Sequence, residues 1–183
     1  MLDFNDLLIV PAKTSMINSR SEITFDKLPL FTAPMNTVIN EDNMHVFKDF
    51  NICLPRLNRG LVEMPNVFIS YGLDEFEELF INSYPMLASD TCVLLDVANG
   101  HMSKVYKFTR DFKRRYIAKL MVGNIANPDT FITLQEAGAD YIRVGIGNGG
   151  ACLTTMHTGV GFPMASLIAE CNMYKTTAKI VAD

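Results

Sequence analysis

The sequence predicts an α/β fold, a (β/α)8 TIM barrel that is incomplete, with about seven of its eight strands present. Three observations predict it. Short apolar runs recur along the chain. Segments of helical periodicity separate them at intervals of roughly 20–30 residues, the rhythm of βαβ units. The apolar runs also end in polar or glycine residues, which a barrel gathers on one face.

The candidate strands are 30–35, 51–57, 66–72, 91–99, 116–124, 141–147 and 179–183. They are continuous rather than alternating, as in strands covered on both faces. Between them, Asn127, Pro128 and Asp129 supply an N-cap, a first-turn proline and a first-turn acid. Phe131, Leu134 and Ala137 then share a face, and Gly138 stands where a helix stops. Ser103 is expected to cap a helix with Val105, Phe108 and Phe112 as its apolar stripe, and Asn40 to cap one over 41–50. An open doubly wound sheet would use the same alternation. The run ends at Asn36, Arg56, Asp96 to Asn99, Gly123–Asn124 and Gly147–Gly150 favour the barrel. A closed barrel needs eight strands, so the chain reads either as a fragment of a longer protein or as a non-standard barrel, and the first reading is preferred. One partial catalytic domain over 1–183 is expected, with no inserted regulatory domain and with neither activity nor full stability in isolation.

Composition narrows the classes. With 49% hydrophobic and 20% charged residues, the chain is neither disordered nor collagen-like. A net charge of −4 argues against a nucleic-acid surface, and the basic run from Lys104 to Arg115 fits a solvated helix face. The four cysteines form no CxxC pair, the N-terminus lacks a basic leader, and the longest apolar run is interrupted by Asp96. These features predict a reduced, cytoplasmic protein without a membrane span.

The strongest local signal is the loop from Gly145 to Thr155, which carries Cys152. Gly145, Gly147 and Gly150 match G-x-G-x-x-G, but the motif runs into loop sequence instead of opening a helix, so a dinucleotide-fold reading is weak. A mobile thiol loop fits better. Glycines allow close backbone approach to a ligand, and a thiolate is a strong nucleophile. Thr154 offers a hydroxyl two residues on; an incidental cysteine in a flexible loop is the bland alternative. Cys53, Cys92 and Cys171 read as core.

Residues 145–155, followed by Thr158 to Pro163, resemble the cysteine loop of the IMP dehydrogenase / GMP reductase family. Asp96 to His101 resembles the cofactor strand end of GMP reductases, and Val122 to Ile125 the strand end that follows it. Ala33 to Val38 resembles the family's first-strand signature, while Asp3 to Ala12 and Ser19 to Glu22 resemble its N-terminal arm. The matches are collinear. The resemblance implies NADPH-dependent conversion of GMP to IMP and ammonia through a covalent adduct at Cys152, with Thr154 protonating the leaving ammonia. It implies cofactor contacts at Ser19, Arg20, Arg56, Asp96, Val97, Ala98, Asn99, Gly123, Asn124, Ile146 and Gly147. It implies substrate contacts at Met35, Gly149, Gly150 and Asp183. A potassium ion would be held by backbone carbonyls of Gly147, Gly149 and Cys152, and the full-length form would be a homotetramer.

Only ten residues separate Arg56 from Val67, where IMP dehydrogenases of the family usually carry a regulatory insert, so the reductase reading is favoured over IMP oxidation with NAD. Three positions depart from the family pattern: Gly150 for a phosphate-contacting serine, Thr155 for an arginine beside the cation, and Asn36 for an aspartate. The rival readings are an inactive fragment or pseudoenzyme and a flavin-dependent barrel enzyme.

Overall fold

The computed structural model describes residues 1–24, 29–56, 67–149 and 152–183. Six parallel strands form one sheet in the order β1-β2-β3-β4-β5-β6. They are β1 (Cys53–Leu54), β2 (Phe68–Tyr71), β3 (Cys92–Asp96), β4 (Lys119–Ile125), β5 (Tyr141–Val144) and β6 (Lys179–Ala182). The order never reverses. A doubly wound sheet would contain a switch point, so the winding is that of half a barrel.

Side-chain alternation divides the sheet into two faces. Val93, Leu95, Leu120, Val122, Ile142 and Val144 pack outward against the helices. Those helices are α1 (Leu73–Phe76, continued as a π-helical turn, Glu77–Asn82), α2 (Ser103–Arg115), α3 (Pro128–Glu136) and α5 (Met164–Tyr174), with a short α4 (Thr154–Thr158) between α3 and α5 in sequence. Cys53, Phe68, Cys92, Leu94 and Met121 form a second cluster on the opposite, inner face, joined by Phe31, Tyr141 and Val181. The α2 stripe is as expected, with Val105, Phe108 and Phe112 buried. In α3, Asn127 accepts a hydrogen bond from the Asp129 amide and Pro128 opens the helix. Among the described residues no helix is long and apolar enough to cross a membrane.

Gln135 joins this frame through its polar end. Its Oε1 accepts from the amides of Thr176, Thr177 and Ala178 at 2.8–3.3 Å, and its Nε2 donates to the Tyr174 carbonyl at 3.2 Å. One nearly buried amide thereby satisfies the turn between α5 and β6, which would otherwise leave backbone donors without partners.

Four local expectations are corrected. The run 30–35 contributes one parallel bridge, Phe31 to Asn51, rather than a seventh strand. The Thr32 hydroxyl takes the Cys53 amide at 2.8 Å in place of a backbone carbonyl, and Pro34 has no N–H to extend the ladder. Ser103 is the first residue of α2; extended Met102 is its cap, without a side-chain bond. The Asn40 side chain accepts from the Asp42 and Asn43 amides as a cap does, yet residues 41–50 hold only a 3-10 turn, Met44–Phe47, and the Asn43 side chain turns back to the Asn40 amide and the Val38 carbonyl. Residues 154–158, read as loop, form α4, stopped by Gly159 in the left-handed region.

Candidate functional site

The C-terminal ends of β3 to β6 lie side by side and bring together residues far apart in sequence. Their centre is Arg143, on the inner face of β5 and only 8% exposed. Its guanidinium donates to Asp96 Oδ1 at 2.9 Å and to Asp183 Oδ2 at 2.7 Å. The planar fork suits this task, because two N–H groups diverge toward two carboxylates. Asn124 Nδ2 also donates to Asp183 Oδ2 and to the Gly145 carbonyl at 2.8 Å. Arg56 donates to the Asp96 carbonyl at 3.2 Å from the exposed rim. Two arginines and two aspartates therefore balance in charge. Arg143 was not singled out from sequence, although a charged residue within the apolar run 141–147 was a readable signal.

Gly123 explains part of this closeness. A Cβ there would meet the Arg143 side chain and sit 2.8 Å from the Arg143 carbonyl, so β4 and β5 could not approach as they do. Beyond the ladder, the Val97 amide donates to the Gly123 carbonyl at 2.8 Å and the Asn124 amide to the Val97 carbonyl at 2.7 Å. These bonds present Ala98 and Asn99 outward, both exposed.

The cysteine loop leaves β5 beside this cluster. Gly147 has φ +76°, and a Cβ there would strike the Thr155 hydroxyl. That hydroxyl donates to the Val160 carbonyl at 2.8 Å and lies 3.5 Å from the Ile146 carbonyl, tying the two sides of the loop together. Asn148 helps, with its Oδ1 accepting from Ile146 N and its Nδ2 donating to the Phe162 carbonyl. The Cys152 amide donates to the Gly149 carbonyl at 2.8 Å.

Cys152 is the exposed thiol of the four; Cys53, Cys92 and Cys171 are buried, as expected. Its Sγ lies 3.3 Å from Thr154 Oγ1. The neutral thiol donates to that oxygen. Once ionised, the sulfur instead accepts from the Thr154 hydroxyl and amide, and those bonds hold the Cys152 pKa below the ordinary thiol value. Burial does the reverse elsewhere, pushing Cys53 up to about 12 and Cys171 to about 11. Iodoacetamide is therefore expected to alkylate Cys152 first, with a rate midpoint lowered by the Thr154 hydrogen bonds. Thr154→Val should move that midpoint up. Labelling of Cys171 at a comparable rate, read by peptide mass spectrometry, would contradict the assignment.

A cavity of about 420 Å³ opens beside the cluster, lined by Ala33, Pro34, Cys53, Met121, Arg143 and Asp183. Its volume falls in the range of small-ligand sites, roughly 300–1,000 Å³. Met35 follows Pro34 and is exposed. Ser19 and Arg20 lie in an exposed 3-10 turn, with hydrogen bonds running to Ser21, Glu22 and Ile23 rather than to the strand ends. Gly150 lies outside the described residues. Among the described residues no group of three or more His, Cys, Asp or Glu could hold a metal ion.

Comparison with known proteins places the chain in a family. A model of the IMP dehydrogenase / GMP reductase domain matches residues 85–183. GMP reductase 2 of Bos taurus is 30% identical, with 93% of this chain and 56% of that protein covered. A GMP reductase of Levilactobacillus brevis is 33% identical over 100% of this chain and 62% of the relative. The chain thus spans little more than half the length of these relatives. The crystal structure of inosine 5′ monophosphate dehydrogenase from Legionella pneumophila superposes with a TM-score of 0.75 at 26% identity, covering 100% of this chain and 61% of that one. The family model matches more than half of the sequence, and the strand-end site lies almost wholly within the matched residues: the chain belongs to the IMP dehydrogenase / GMP reductase family.

Proposed function

We propose that the polypeptide carrying these residues is a purine-nucleotide oxidoreductase that converts GMP to IMP and ammonia at the expense of NADPH, with 1–183 as part of one TIM-barrel catalytic domain. One observation carries the reading. The exposed thiol, favoured as thiolate by Thr154, stands on the loop that leaves the strand holding Arg143.

In this reading the Cys152 thiolate attacks C2 of the purine, forming a C–S bond. The bond from C2 to the exocyclic nitrogen then breaks, and Thr154 relays the proton given up by the thiol to the departing ammonia. When bound, NADPH supplies the hydride that replaces sulfur at C2 and frees the thiolate. Splitting one substitution at an aromatic carbon into two steps is what a covalent nucleophile contributes. Arg143 and Asn124 orient Asp183 through its Oδ2 and leave Oδ1 as an acceptor for ribose hydroxyls. The exposed Arg56 guanidinium, Ala98 and Asn99 offer the wall for the dinucleotide, with Val97, Gly123, Ile146 and Gly147 behind it. Ser19 and Arg20 are assigned to the cofactor, and Met35, Gly149 and Gly150 to the nucleotide, by resemblance alone.

The cysteine loop is also suited to a monovalent cation. Its backbone carbonyls are neutral oxygen donors, a type that matches a weakly charged ion better than a divalent one. Gly147, Gly149 and Cys152 would supply the carbonyls. The Legionella match makes the dehydrogenase direction the second reading. The two separate in one assay of reduced-nicotinamide absorbance. GMP with NADPH should cause consumption, whereas IMP with NAD should give little production. The opposite pattern would assign the dehydrogenase, and neither change nor a Cys152–purine adduct in intact mass would end both readings.

A further inference from the structure

We propose that His101 is a positioning residue, a neutral imidazole clamp that fixes the loop following β3 to the loop following β4. Both ring nitrogens are engaged. The Ala126 amide, which can only donate, donates to His101 Nε2 at 3.0 Å. Nε2 is therefore the bare nitrogen, and Nδ1 carries the proton, which it donates to Thr130 Oγ1 at 2.8 Å on the first turn of α3. One ring thus links three elements: the β3 loop, the β4 loop and α3.

The clamp reaches the candidate site within two bonds. The His101 amide donates to Asn99 Oδ1 at 3.1 Å, and the Gly100 amide donates to the Asn124 carbonyl at 2.8 Å. Asn99 stands on the wall assigned to the dinucleotide, and Asn124 holds Asp183. There is little room for adjustment: a Cβ on Gly100 would lie 2.7 Å from Ile125 Cγ2 and 2.8 Å from the Asn124 carbonyl. A loosened ring would free the exposed Ala98–Asn99 segment before it disturbed the buried strands.

Protonation opposes the clamp. It places a second N–H against the Ala126 N–H, donor facing donor. Burial holds the ring below the ordinary histidine value, in keeping with the neutral form. The charged side chains on the adjoining first turns are Lys104, paired with Glu77 at 2.6 Å, and Asp129; neither contributes to that shift. The clamp is complete at neutral pH and is lost as pH falls through the lowered value.

The dinucleotide consequence rests on the proposed function, whereas the clamp does not. The test measures hydrogen exchange at the Ala126 amide, together with NADPH and GMP affinities by calorimetry, in the polypeptide that carries these residues. In wild type Ala126 should be protected at neutral pH, and its protection, taken as its rate against the intrinsic amide rate at the same pH, should fall in acid. His101→Phe should speed its exchange at least about tenfold and weaken NADPH about tenfold, the loss of roughly one good hydrogen bond. GMP affinity should stay within about twofold, and His101→Gln, which offers both an acceptor and a donor, should recover most of the loss. Should His101→Phe fail to fold, Thr130→Val removes the Nδ1 partner alone and should give a smaller change in the same direction. Equal Ala126 exchange in wild type and variants would overturn the clamp. Unchanged NADPH affinity in a protein that binds NADPH would overturn its positioning role. If wild type takes no NADPH, the cofactor reading fails, and Ala126 exchange still decides the clamp.

Discussion

Cys152→Ala is expected to remove turnover of GMP while leaving GMP affinity within about twofold. The expected loss in kcat is on the order of 10⁴-fold or more, the scale seen when a covalent enzyme loses its nucleophile. Binding should survive because the thiol is exposed and bonds to Thr154 rather than to the Arg143 cluster, and the bond from the Cys152 amide to the Gly149 carbonyl is kept in alanine. The loop itself is closed by Thr155 and Asn148, which the substitution leaves alone. Single-turnover rates and calorimetric affinity would be measured on the same preparation. Near-normal turnover would dismiss the covalent mechanism. A matching fall in affinity would instead make Cys152 a binding group.

Arg143→Met should have the largest effect on the scaffold of the site. The methionine fills much of the arginine stem but leaves Asp96 and Asp183 without the cation between them. Removing one partner of a buried pair costs about 3–5 kcal/mol. Here both carboxylates are partly exposed, at 27% and 36% of their side chains, so about 2–3 kcal/mol is the better expectation. Arg143→Lys should recover only part of it, since a single ammonium cannot make two divergent bonds as the guanidinium does. Urea unfolding would read the stability, and GMP affinity should fall in step as Asp183 loses one of its two donors. An unchanged unfolding midpoint in Arg143→Met would show that the cluster is not structural.

Much of the frame was legible. The apolar runs at 91–99 and 141–147 each contain a strand, and 116–124 covers all but the last residue of β4, because strands covered on both faces leave an uninterrupted hydrophobic signature. The Asn127–Pro128 start of α3 was also readable, since a cap is local chemistry between neighbours. Cys152 stood out because a thiol among glycines has little apolar company. The misses have a common cause. Thr32 replaces a strand ladder with its hydroxyl, and Asn43 turns its side chain back to the Asn40 amide and the Val38 carbonyl where a helix was expected, each through side-chain bonds that periodicity does not register.

The order of residues along the chain is enough to give the alternation of strands and helices, which cysteines are core and which is exposed, and where the polar strand ends lie. Which of those ends meet is set by the folded sheet. Arg143 is 47 residues from Asp96 and 40 from Asp183, and the ring of His101 is bonded 25 residues away. Periodicity reports what each segment buries, because burial is set over one turn or one strand. Parallel strands bring their ends together only through long crossovers, so the pairing of charges and ring nitrogens at those ends depends on sheet order and register.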